Sequence, residues 1–137
     1  MATTDQQRHF MISQAVRRVP GSDDDVDLRL WDNLALELRV IIGERGFESL
    51  YARSLHHAAA ALPWLATQPP QSGDPFTLLT SRLKQRPAAE AQVASAALLN
   101  IFIDTLIILI GELLTYSILR KAWGDDVVNQ AATEHRT

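Results

Sequence analysis

The chain contains no cysteine. That excludes disulfides and thiolate metal sites, and it fits a reducing compartment. Basic charge is also short, and the net charge of -3 speaks against a dedicated nucleic-acid binder, which would carry a basic surface. No stretch shows strand alternation bounded by turns, so no sheet is expected. There is no Gly-rich phosphate loop, no nucleophile elbow and no Cys or His metal spacing. The Glu-x-x-His repeats of a di-iron bundle are missing too. No enzyme activity, cofactor or metal is therefore expected. A secretory leader is not visible, because Asp5, Arg8 and His9 interrupt the place of an apolar core region.

What is present is helical periodicity. Residues 1–20 read as an N-terminal arm or short helix, with Phe10, Ile12, Ala15 and Val16 turned roughly inward. Pro20-Gly21 then breaks the chain. The acidic run Asp23 to Asp25 suits the positive end of a helix dipole. Trp31, Leu34, Leu38, Ile41 and Ile42 recur at helical spacing, which predicts an amphipathic helix from about Asp25 to Glu44, broken or kinked at Arg45-Gly46. A second helix carries Phe47, Leu50, Ser54, Ala58 and Ala61 on one face and ends at Pro63.

Residues 64–75 form a linker rich in Pro, Gly and Ser, and Asp74-Pro75 opens a short helix. The last helix runs from Pro87 to Trp123, with Glu90 near its start, Arg120 and Lys121 near its end, and Gly124 to close it. Residues 125–137 read as a frayed tail. The expected fold class is all-α: one bundle domain over 21–124, of four to five helices, with one long, mostly apolar C-terminal helix.

That helix has the length of a membrane span but carries Asp104 and Glu112. An Asp at mid-span costs roughly 2.5–3.5 kcal/mol on insertion scales, partly offset by its Leu and Ile neighbours. At about 100° per residue, Asn100, Asp104, Gly111 and Thr115 fall on one stripe, continued by Val93 and Ala97. Leu99, Phe102, Leu106, Leu109 and Leu113 take the other faces. A helix apolar nearly all round is central in a soluble bundle or lies in lipid. The amphipathic helices need an apolar partner, so the soluble core is favoured. A single span through 94–119 remains the second alternative.

IIGERGFESLYAR (Ile41 to Arg53) and LIGELLTYSILR (Leu109 to Arg120) share apolar-Ile-Gly-Glu followed by an Arg. Gly lets backbones approach closely. A Glu beside such a crossing would be partly desolvated and would want a cation. Glu44 and Glu112 are thus expected to pair with Arg120, Arg53 or Arg39.

His56-His57 is the most suggestive polar pair. His57 is expected inside the bundle near Ser54, and near Asp104 if the helices meet. ARSLHHAAAAL (Ala52 to Leu62) resembles the phosphate-accepting helix of histidine phosphotransfer domains, which implies an exposed, phosphorylated His56. It lacks the lysine and glycine that follow the histidine there, which puts that role in doubt.

The reading that follows is a small cytoplasmic helical interaction or regulatory module, non-catalytic, working as a homodimer with a further protein partner and without nucleic acid or membrane. A helix from Pro87 to Trp123 would reach roughly 55 Å, beyond a globule whose radius of gyration is near about 14 Å. Either it kinks at Gly111 or it projects to pair with a second chain. The alternative is a ligand-sensing bundle with a cavity lined by Asp104 and His57. Candidate buried or interface residues are Glu44, Arg53, His57, Asn100, Asp104, Gly111, Glu112 and Arg120.

Overall fold

The computed structural model describes residues 5–16, 26–65 and 75–124. The acidic run after Pro20, most of the Pro/Gly/Ser linker, the Asp74 cap and the C-terminal tail lie outside the described residues. Five helices are seen: α1 (Asp5–Ala15), α2 (Val26–Ala61), α3 (Pro75–Lys84), α4 (Ala88–Ile110) and α5 (Glu112–Trp123), with a 3-10 turn at Pro63–Leu65. The fold is all-α, and its long apolar helix is α4.

α2 is a hairpin. Gly43 takes φ 80°, ψ 165°, a region open essentially to glycine alone. The leading limb (26–42) and the returning limb (44–61) therefore double back on each other. Trp31 and Tyr51 would lie about 30 Å apart on a straight helix, yet their rings meet edge to face at 5.1 Å. Nearer the bend, the Arg39 guanidinium sits 5.3 Å over the Phe47 ring. The break falls at Gly43 and not at Arg45-Gly46. Gly46 stays helical against the Ile42 side chain, because its φ is ordinary.

The same device ends α4. Gly111 has φ 93°, ψ 158°, and its N–H donates to the Ile107 carbonyl. On the far side the Thr115 amide and hydroxyl both donate to the Gly111 carbonyl, at 3.2 and 2.7 Å. Of the two expected outcomes for Pro87 to Trp123, a kink at Gly111 or a projecting rod, the structure has the first: the stretch is two helices, and residues 94–119 do not form one rod. Gly124 closes α5 with φ 98°, ψ 155°. Its φ is positive as expected, but its ψ places it outside the left-handed helical region.

Helix heights fix where the two bends lie. Phe102 of α4 packs on Trp31 at 5.0 Å and on Phe47 at 5.6 Å. At 1.5 Å per residue, Trp31 lies about 18 Å below Gly43, Phe47 about 6 Å below it, and Phe102 about 14 Å from Gly111. The Trp123 indole N–H donates to the Leu30 carbonyl at 3.1 Å. That tie holds the far end of α5 about 18 Å from each bend. Both relations are met when Gly43 and Gly111 share one end of the bundle. With Gly111 at the opposite end, α5 would run about 12 Å past Leu30 before reaching Trp123.

The core is the interior of these two hairpins. Trp31, Leu34, Leu38, Phe47, Leu98, Leu99, Phe102, Leu106 and Leu119 are fully buried. α1 lies on α4 and buries Met11, Ile12 and Val16, whereas Phe10, expected inward, is exposed. α3 and the 3-10 turn close the end away from the bends. There Arg86 stacks 4.6 Å over the Trp64 ring, and Arg82 donates to the Trp64 carbonyl.

Candidate functional site: the apolar end and the Arg8–Asp104 anchor

Two arrangements stand out. The first is ionic. Arg8 Nε and Nη2 both donate to Asp104 Oδ1, at 2.9 and 2.6 Å. His9 Nε2 lies 3.3 Å from Oδ2, a hydrogen bond when that nitrogen carries the proton. The Arg8 side chain is 7% exposed and Asp104 39%. α1 thus brings a cation to the one carboxylate of α4's apolar stretch, and both carboxylate oxygens are engaged. Asn100, one turn earlier, is half-buried, and its Oδ1 is buried without a hydrogen bond. The polar stripe of α4 is therefore the face that α1 partly covers.

The expectation that Asp104 meets His57 is corrected: its partners are Arg8 and His9. His57 is exposed on the returning limb beside His56, with ring centroids 6.1 Å apart. The buried stripe of that limb is Phe47, Leu50, Tyr51, Ser54 and Ala58. His57 falls about 75° from its centre. Ser54 is buried as expected, with its hydroxyl on the Leu50 carbonyl. Among the described residues no group of three His, Asp or Glu side chains is placed to hold a metal ion.

The second arrangement is the end that carries both bends. Leu36, Val40 and Ile41 approach Gly43, Ile108 and Leu109 approach Gly111, and Leu113 and Leu114 leave it; all seven are exposed. Val40, Ile108 and Leu113 are 85%, 83% and 89% exposed. Because the Trp123–Leu30 tie sets α5 against the leading limb of α2, Leu113 and Val40 stand at the same height, each ten residues from that tie. A Val, Leu or Ile side chain carries roughly 100 Å² of apolar surface, so at these exposures the patch is about 500 Å². That falls within the range of the largest patch on a typical monomer, which is often functional.

The charged residues of the repeat differ in exposure. Glu44 is exposed just past the bend, not desolvated. Arg53 and Arg120 are exposed as well, and Arg39 is spent on the Phe47 ring. Glu112 is half-buried in the first turn of α5. Gly111 is the bend itself. A Cβ added at Gly43 or Gly111 would meet nothing within 4 Å. Their role is conformational, and close backbone crossing within the chain is not the reason for glycine.

The sequence signals for these features were uneven. Arg8 lies three, four and seven residues before Met11, Ile12 and Ala15, so it shares their face of α1 and was open to discovery. Its partner, 96 residues away, was not. The shared Ile-Gly-Glu did mark both bends, but only the structure brings them to one end. Comparison with family models, with curated proteins and with solved structures yields no match to this chain.

Proposed function

We propose that this chain is a non-catalytic helical interaction module that docks through the apolar end carrying the two Ile-Gly-Glu bends. The supporting observation is the gathering there of seven of the nine exposed large apolar side chains among the described residues. They come from three limbs, the leading limb of α2, α4 and α5, and the described core leaves them uncovered. Solvating such a patch is unfavourable, and a partner of matching shape relieves it.

The ligand-sensing reading lacks comparable support. It needs Asp104 aimed at a ligand, and Arg8 and His9 already hold that carboxylate. α4 is long and apolar enough to cross a membrane, but eight of its residues are buried against the other helices.

The double variant Val40→Glu/Leu113→Glu tests the docking reading, because both positions are exposed and neither supports the core. The expected result is an unchanged helical circular dichroism spectrum with much weaker retention on a hydrophobic-interaction column. Equal retention of variant and parent would defeat the proposal.

A further inference from the structure

We infer that the occupant of the apolar end is a second copy of this chain, placed end to end about a two-fold axis; this rests on the docking reading above. Area is the first argument. An exposed apolar surface of about 500 Å² is more than half of the ~800 Å² that each partner contributes to a stable interface of standard size. The end alone thus provides most of what a dimer needs.

Self-complementarity is the second. A two-fold interface uses one patch twice, so the patch must match itself. This one is built from two hairpins of like design. Each turns at an exposed glycine with φ near +90°, flanked by Ile before and Glu after. Under a two-fold axis the α2 bend of one copy meets the α4–α5 bend of the other, and the reverse. With nothing within 4 Å of a Cβ position at either glycine, the backbones at the bends are open to close approach by that partner.

The test uses the full chain at micromolar concentration in detergent-free buffer, with light scattering on a sizing column. The parent is expected at twice the chain mass, and Val40→Glu/Leu113→Glu at the chain mass with the same circular dichroism. The absence of native cysteine permits a second readout. Leu113→Cys is expected to cross-link between chains with a short bis-maleimide, and Ala60→Cys, exposed on the returning limb far from the bend, is not. A parent that stays monomeric, yet floats with phosphatidylcholine vesicles and loses this in the double variant, overturns the second copy and leaves the docking reading standing. A monomeric parent with no vesicle binding and a retention equal to the variant's overturns both. A dimer that persists in the double variant places the contact on another face and overturns the inference.

Discussion

Asp104 sits among Ile101, Phe102, Ile103, Leu106 and Ile107, where a carboxylate is hard to place. Its neighbour Arg8 is the more deeply buried member of the pair, so the energetic consequence of breaking the pair falls on Arg8. Asp104→Ala takes from that buried guanidinium both of its hydrogen bonds to the carboxylate, and should lower stability by about 1–3 kcal/mol in urea denaturation. Asp104 is more than a third exposed, which keeps the effect below that of a fully buried pair. Arg8→Met removes the cation but keeps the apolar stem, and should stay within about 1 kcal/mol of the parent. Equal losses in the two variants would mean that packing, and not the ion pair, holds α1. In the core, Phe102 touches Trp31 and Phe47 from the two limbs of α2. Phe102→Ala should lower stability by about 3–5 kcal/mol by the same measurement. Phe102 and Trp31 were legible as apolar positions of periodic helices. His57 was misplaced because spacing from Leu50 defines a face only to within a quarter turn, and His57 lies on the solvent side of that margin.

At the level of elements, the helices and their order followed from period and punctuation, and the bends only in part: a kink at Gly111 is one of two expectations, while the break in α2 is expected at Arg45-Gly46 and falls at Gly43. A helical pattern runs through Gly111 without interruption, since Leu109, Ile110, Leu113 and Leu114 continue it. Periodicity records which residues are apolar. It does not record which glycine takes a positive φ. Three closely spaced glycine substitutions separate these cases. Gly43→Ala and Gly111→Ala force a Cβ into a region that non-glycine residues avoid, and each should cost about 1–3 kcal/mol in thermal or urea unfolding. Gly46→Ala meets only the Ile42 side chain, at 3.4 Å and beyond. Better helix propensity there should make it neutral or stabilising by up to about 1 kcal/mol. If Gly43→Ala and Gly46→Ala behaved alike, the hairpin at Gly43 would be wrong. The internal likeness of the two Ile-Gly-Glu stretches has a physical basis whatever its origin. In both, a long apolar helix must reverse on a single residue, and glycine is the residue that can.

For the whole molecule, the consequence of two single-residue bends at one end is an apolar surface without a partner among the described residues. Helices joined this tightly cannot bury the side chains nearest the bend against each other, because the limbs have not yet come into register there. The bland outcome would be polar residues at those positions. Leu36, Val40, Ile41, Ile108, Leu109, Leu113 and Leu114 stand there instead. The claim that these residues form one surface depends on Gly43 and Gly111 sharing an end, and a distance between them tests it. Nitroxide labels on a Val40→Cys/Leu113→Cys chain, diluted with unlabelled chain so that only pairs within one molecule count, report that distance by pulsed electron resonance. Neighbouring limbs with axes about 10 Å apart place the labels within roughly 20 Å of each other. A separation beyond about 30 Å, the length of a limb, would put the bends at opposite ends and contradict the account.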